Sequence, residues 1–353
     1  MFIGERLVSA RRAAGLSQRA LANAVGVSAM AISKYERDHM SPSSQVLLTL
    51  AKALNLRSEY FTRPARLSTT DPAFRCRRSL SPNRRRTVIA RAQDCLERYF
   101  AVESLFGDAL SLRIPEELVG SLNSLDEIES RAESLREAWT LGMGPIESVV
   151  ELLEDKGIKV GLVDADGSFD ALTFRVNGNR PVIVVKRGVP GDRQRLNLAH
   201  ELGHILLGET PGIDPEKAAY RFAGALLVPQ ETARFELGDA RHQLSIAELY
   251  LLKHKYGLSM QAWVYRAMDL GIISPTKAQY IFRVFRERGW RTTEPGEQIP
   301  EEKPSRMERL IMRALSEGMI TESRAAELSG MSLSKFRRRE VGRRVGVGGH
   351  LDR

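Results

Sequence analysis

Residues 195–208 read Arg-Leu-Asn-Leu-Ala-His-Glu-Leu-Gly-His-Ile-Leu-Leu-Gly, and the central His200-Glu201-Leu202-Gly203-His204 sets two histidines four positions apart. On a helix that spacing brings both imidazoles to one face, one turn from each other. Imidazoles so placed can grip a single Zn2+, and Glu201 beside them can take a proton from water that the metal activates. Leu196, Ala199, Leu202, Leu206 and Leu207 supply the apolar positions of this helix, Asp192-Arg193-Gln194 opens it, and Gly208 is expected to end it. Gly203 weakens the helix and is expected to leave room around the metal.

A catalytic zinc takes a third protein ligand and keeps one position for water. The next helix is expected to start at Asp214-Pro215, with Asp214 as cap and Pro215 in the first turn, and to stop before Pro229. Glu216 is the expected third ligand. Asp214 is the competing carboxylate, although capping already accounts for it. Tyr220 on the same helix is either a packed aromatic or a donor to a developing oxyanion. His39, His242, His254 and His350 have no ligand spacing to one another and read as surface or packing residues.

Working outward, segments 158–163, 172–176 and 182–185 are short, apolar and partly β-branched, with Asp-Gly and Asn-Gly turns between them. They are the only strand signals. Helical patterning fills 87–106, 126–142, 145–156, 191 to about 288, and 307–344, the last broken at Gly318 and Gly330. The fold class is therefore mainly α with a small β-sheet (α+β). Residues 63–86, rich in Pro, Ser and Arg, read as a linker, and the Pro/Glu/Gly-rich 292–304 as a second one. No long internal repeat is evident.

The first 62 residues carry Leu7, Ala10, Ala14, Leu21, Val25, Ile32, Leu47, Leu50, Ala51 and Leu54 at helical spacing. Within Leu16–Glu36, Ser17 can cap one helix, Gly26 can turn the chain with positive φ, and Ser28 can cap the next. Ala22 is small where the helices must cross, and Val27 and Ile32 would pack the second helix onto the core. This is a helix-turn-helix pattern, with the second helix free to enter a major groove.

That stretch resembles the XRE/Cro-type repressor family, a five-helix module. The resemblance implies a phosphate anchor at Gln18 and a DNA-facing surface of Ala29, Met30, Ser33 and Lys34. Ala29 and Met30 offer no bidentate donor or acceptor, so modest base specificity is expected. The His-Glu-Leu-Gly-His stretch, Glu216, Arg221-Phe222-Ala223-Gly224-Ala225-Leu226-Leu227-Val228-Pro229, and residues 252–263 resemble the ImmA/IrrE metallopeptidase family of zincin-like fold. Members often carry Glu-Ala-Asn where this chain has Ala218-Ala219-Tyr220, so Glu216 is the carboxylate that matches the motif. The resemblance implies a zinc cofactor and a regulatory protein as substrate, an XRE-type repressor among the candidates. The expected organisation is a helix-turn-helix domain (1–62), a basic linker (63–86), a metallopeptidase domain with a helical lead-in (87–291), a linker (292–304) and a small helical module (305–353).

Composition sets the outer bounds. The chain has 353 residues, 53 Lys+Arg against 44 Asp+Glu, and two cysteines, Cys76 and Cys95. That excludes a disulfide framework and a cysteine-rich zinc cluster, and no apolar run approaches the ~20 residues that cross a bilayer. Met1–Arg6 lacks the apolar core of a signal peptide, so a cytoplasmic protein is expected. Two basic clusters stand out: Arg75, Arg77, Arg78, Arg84, Arg85 and Arg86, then Lys335, Arg337, Arg338, Arg339, Arg343 and Arg344. Each is either a phosphate-binding surface or a solvated segment. The helical rhythm around Gly330 fits a second nucleic-acid module, a dimerisation hairpin or plain packing. The expectation is a homodimeric transcriptional regulator that binds a duplex DNA operator and carries a zinc endopeptidase site, cutting another regulator or its own 62–86 stretch in a stress or signal response. The alternative is a metal- or ligand-sensing transcription factor that uses its peptidase-like domain only to bind partners.

Overall fold

A computed structural model describes residues 3–56, 58–62, 82–107, 112–164, 169–176 and 180–348, with backbone alone at 59, 62, 82–86 and 341–348. Its N-terminal unit comprises α1 (Ile3–Ala13), α2 (Gln18–Val25), α3 (Ala29–Glu36), α4 (Ser44–Ala53) and a 3-10 turn at Ser58–Thr62. Ser17, Ser28 and Ser43 each accept a hydrogen bond from the N–H three residues on, which satisfies otherwise orphaned donors at the starts of α2, α3 and α4. Leu7, Leu21, Ile32, Leu50 and Phe61 close the core between them.

Residues 63–81, most of the expected basic linker, lie outside the described residues, and the chain is already helical at the linker's end. Helix α5 (Pro82–Glu103) leads into α6 (Leu125–Ala138), α7 (Val149–Asp155), β1 (Lys159–Val163), β2 (Ala171–Val176) and β3 (Arg180–Lys186). The sheet order is β1-β3-β2, with β1 parallel and β2 antiparallel to β3. Position in the sheet explains the strand sequences. Central β3 is covered on both faces and buries an unbroken Pro181–Val185 run, whereas edge strand β2 alternates buried and half-buried residues. One face, with Leu172, Phe174, Val182 and Val184, packs on Val88, Ala92 and Leu96 of α5. The opposite face, with Val160, Ile183 and Val185, joins the large core of α8 (Gly191–Leu206) and α9 (Pro215–Leu227).

Helices α8 and α9 cross closely at Gly203. A Cβ added there would lie 3.2 Å from Phe222 Cδ1 and 3.3 Å from Ala219 Cα. Gly203 therefore serves the helix crossing, and this corrects the expectation that it makes room for a metal. Gly208 is not a helix terminator either. Helix α8 ends at Leu206, and Gly208 abuts Gly120 and Ser121 so tightly that a Cβ would come within 2.8 Å of their backbone.

The remaining helices are α10 (Gln230–Leu237), α11 (Ile246–Tyr256), α12 (Met260–Asp269), α13 (Pro275–Glu287), α14 (Arg306–Ser316), α15 (Glu322–Leu328) and α16 (Leu333–Gly348). Buried Glu129 of α6 accepts from Nη1 and Nη2 of Arg266 at 2.6 and 2.7 Å and also pairs with Arg221, tying α6 to α9 and α12. The 292–304 stretch, expected as a linker, has no helix or strand, yet it is fastened along its length. Glu294 accepts from Met260 N and Gln261 N, both at 3.0 Å, and from Lys253 Nζ at 3.1 Å. Glu302 accepts from Val150 N at 2.8 Å, from Ser148 Oγ at 3.1 Å and from Arg195. Its Pro and Gly residues mark turns, and buried acceptors rather than apolar residues hold it down. Among the described residues no helix is long and apolar enough to cross a membrane.

Gly203→Ala tests the crossing. In an open helix this change stabilises by about 1 kcal/mol, but here the added methyl must push Phe222 and Ala219 away, at a cost of about 1–3 kcal/mol. Urea unfolding should show a net loss of stability; a gain near the open-helix value would mean that the crossing does not depend on Gly203.

Candidate functional site

His200 and His204 project from the second half of α8, and their Nε2 atoms stand 3.0 Å apart. Helix α9 supplies Glu216 from its first turn, where Asp214 caps the helix by accepting from Lys217 N at 3.0 Å. Capping thus occupies the competing carboxylate. Glu216 Oε2 lies 3.5 Å from His200 Nε2, and Glu216 Oε1 lies 3.4 Å from His204 Nε2. These three side chains form the one group among the described residues whose spacing suits a metal ion. Two imidazoles and a carboxylate are an ordinary zinc donor set. Bonds of about 2.0–2.1 Å in a tetrahedron put donors about 3.3–3.4 Å apart, close to the observed triangle. The residues present fit a zinc ion.

Tyr220 stands one turn after Glu216 on the same side of α9, and its ring lies 4.1 Å from the His200 ring, centroid to centroid. His200 Nδ1 is buried with no hydrogen-bond partner among the described residues. Ring packing, rather than the usual acceptor on the far nitrogen, therefore orients this imidazole. Ala218 is buried in the α9 core, and Glu216 is the α9 carboxylate that stands with the two histidines.

Glu201 is buried and turned toward the sheet, where its Oε2 accepts from Thr173 Oγ1 at 2.7 Å. Burial pushes its carboxyl above the ordinary carboxylate range. The Thr173 hydroxyl and the neighbouring His200 pull it back, and Glu216 adds to the push. A raised carboxyl suits a group that must accept and later return a proton near neutral pH. Thr173 is a site residue that sequence reasoning missed. The alternation along β2 places it with Ala171 and Arg175, opposite Leu172 and Phe174. Nothing in the sequence says that α8 lies across that face at that register.

The helix-turn-helix residues gather at a second surface. Ala29, Met30 and Lys34 are exposed on α3 and Ser33 is half-buried beside them, while Ile32 and Tyr35 face the core. Gln18 differs in that its Nε2 donates to Glu36 Oε2 at 2.6 Å, and Arg11 grips the same carboxylate. Its side chain helps to join α2 to α3. Of the basic clusters, Arg75, Arg77 and Arg78 lie outside the described residues, and Arg84, Arg85 and Arg86 are described by backbone alone. Lys335, Arg337, Arg338 and Arg339 are exposed on α16, and Arg343 and Arg344 continue it in backbone. Of the other histidines, His254 packs on Tyr250, His242 contacts Lys277, His39 is exposed, and His350 lies outside the described residues.

Comparison with known proteins places two families in series on this chain. Residues 7–61 match the helix-turn-helix family of the XRE type, and residues 153–268 match the peptidase family described as the IrrE N-terminal-like domain. The second match spans His200, Glu201, His204, Glu216 and Thr173. Over 75 residues the chain is 39% identical to repressor protein C2 of Salmonella phage P22, which is 21% of this chain and 34% of the repressor. The chain thus spans about a third of the length of the curated relative it matches.

Elemental analysis of purified protein tests the donor set. Wild type reconstituted with zinc should hold about one equivalent per chain, and His204→Ala and Glu216→Ala should each lose it after dialysis. Full retention in either variant would place the metal elsewhere.

Proposed function

We propose that this chain is a DNA-binding transcriptional regulator whose second domain is a zinc-dependent endopeptidase that cuts a regulatory protein. The observation that carries the reading is the triangle of His200, His204 and Glu216 donors with Glu201 beside it, hydrogen-bonded to the edge of the sheet. Zn2+ held by those three residues would supply Lewis acidity toward a peptide carbonyl.

The other parts of the reaction belong to the chain's own side chains. Glu201 takes the proton of the attacking water and returns it to the departing amine, a role that its raised carboxyl suits. Thr173 holds that carboxylate in one orientation. Among the described residues strand β2 pairs only with β3, so its outer edge can accept an extended peptide as a further strand. The Thr173–Glu201 hydrogen bond then ties the peptide-binding edge to the proton carrier. The Glu216 side chain, 35% exposed, leaves this side of the site accessible to a protein substrate. A sensor without turnover has no use for a carboxylate held in this way, which favours hydrolysis over the metal-sensing alternative.

The likeness to a phage repressor supports a duplex DNA operator as the partner of α3, with Lys34 on a phosphate and Ala29, Met30 and Ser33 facing the groove. Gln18 fits this reading as a brace for α2 and α3 at the DNA surface. The substrate belongs to the class of regulatory proteins, XRE-type repressors included, or is the 62–86 stretch of a second copy in a homodimer.

Glu201→Gln separates chemistry from metal binding. With zinc supplied, wild type should cleave members of a proteome-derived peptide library read by mass spectrometry. Glu201→Gln should retain its zinc and cleave at least about 100-fold more slowly. Equal cleavage by the two proteins would remove Glu201 from the mechanism.

A further inference from the structure

The C-terminal module repeats the N-terminal helix-turn-helix at six positions, each 304 residues downstream, although α15 ends one residue earlier than α2 does. Ser17 caps α2 by accepting from Ala20 N at 3.0 Å, and Thr321 caps α15 by accepting from Arg324 N at 3.3 Å. Ala22 and Ala326 are both buried where the paired helices cross. Gly26 and Gly330 make the turn at φ +75° and +70°. The next residue closes it in the same way: Val27 N donates to Ala22 O at 3.1 Å, and Met331 N to Ala326 O at 3.0 Å. Ser28 then caps α3 through Ala31 N at 3.1 Å, and Ser332 caps α16 through Lys335 N at 3.3 Å. Ile32 and Phe336, four residues further, both point into their cores. A helical hairpin made only for packing has no reason to reproduce cap, turn, cap and core anchor at one constant offset.

The same offset says which side chains the second helix presents. Met30, Ser33 and Lys34 of α3 correspond to Ser334, Arg337 and Arg338 of α16, and Lys335 and Arg339 lie alongside. All five of these α16 residues are exposed. Arg337 pairs with Glu322 at 2.8 Å and Arg339 pairs with Glu308, both across solvent-accessible positions where such pairs exchange readily for other anions. Lys335 and Arg338 have no side-chain partner among the described residues. The apolar residues of the module are already used: Ile311, Ala325, Ala326, Leu328 and Phe336 pack together and onto Val102 of α5. The outward face of α16 is therefore cationic rather than apolar, which suits a polyanion better than a second copy of this chain.

We propose that α15 and α16 form a second DNA-binding helix-turn-helix, with α16 entering the major groove of B-form DNA. Lys335 and Arg338 meet the phosphates, and Arg337 reaches the base edges, where a guanidinium can pair with guanine O6 and N7. Both modules are mounted on α5. On the N-terminal side, Arg6 pairs with Glu97 at 2.5 Å and Ser9 Oγ donates to Gln93 at 2.9 Å; on the C-terminal side, Arg98 Nη1 donates to Leu328 O at 3.0 Å. One chain so built grips DNA at two places. The proposal rests on the reading of this chain as a DNA-binding protein.

The test uses the full chain and a fluorescent, mixed-sequence DNA duplex, with the dissociation constant followed against salt. Lys335→Ala with Arg338→Ala should weaken binding about 10-fold or more near physiological salt and reduce the log–log salt slope by about 2, since each phosphate contact contributes ~0.9. The charge-keeping pair Lys335→Arg with Arg338→Lys should restore both values, and the thermal melt should stay where it was because both side chains are exposed. Lys34→Ala is measured beside them. If Lys34→Ala weakens binding and the C-terminal pair does not, the proposal fails while the N-terminal reading stands. If neither variant changes binding, both fail. Tighter binding to an A-form RNA duplex of the same sequence would also overturn it, because that major groove is too narrow for a helix.

Discussion

The close crossing of α8 and α9 is the constraint on which the site depends. Because Gly203 has no side chain, Phe222 and the backbone at Ala219 approach α8 directly. That approach fixes how far Glu216, in the first turn of α9, stands from two imidazoles in the last turns of α8. A wider crossing would carry the carboxylate out of reach of an ion held by the histidines. The same helix faces the sheet on its other side, and there Glu201 meets Thr173. The histidine pair and Glu201 thus diverge from one helix toward two different packing partners, α9 and the sheet, which keeps Glu201 outside the His200–His204–Glu216 triangle.

Helix α5 has a comparable place in the molecule as a whole. It covers one face of the sheet with Val88, Ala92 and Leu96, receives α1 through Arg6–Glu97, and carries α15 through Arg98. Buried polar groups reinforce its C-terminal half: Lys159 Nζ donates to Glu103 at 2.7 Å, and Tyr99 donates to Glu154 at 3.0 Å. Burial pushes the Glu154 carboxyl up, while the backbone N–H groups of Arg306 and Ser305 and the Tyr99 hydroxyl hold it down. The chain entering α14 is therefore locked to the same carboxylate that Tyr99 holds. A site on the sheet and helical modules on both sides of it share one continuous rod, so a change at any one of them bears on residues that the others touch.

Much of this was readable in the sequence, for definite reasons. The four-residue His spacing, the Asp214-Pro215 start and the Ser-x-x-N–H caps are local signals, and α8, α9, α2 and α3 follow them closely. The short, partly β-branched runs likewise mark the three strands, but which of them is central follows only from the strand pairing. Features set by distant partners were not readable. Thr173 became a site residue only through the placement of α8 across the sheet, and Gly203 and Gly208 owe their identity to backbone from α9 and from residues 120–121. The 292–304 stretch has the composition of a linker, but Glu294 and Glu302 find buried donors contributed by helices far away in sequence.

The central claim is that His200, His204 and Glu216 together hold the catalytic metal. X-ray absorption at the zinc edge of the zinc-loaded full chain tests it most directly, since it counts the ligands and measures their distances. Two imidazole nitrogens and carboxylate oxygen at about 2.0–2.1 Å, with light-atom occupancy of the remaining position, is the predicted shell. A shell with fewer than two imidazoles, or with sulfur, would contradict the assignment and with it the reading of this domain as a zinc peptidase.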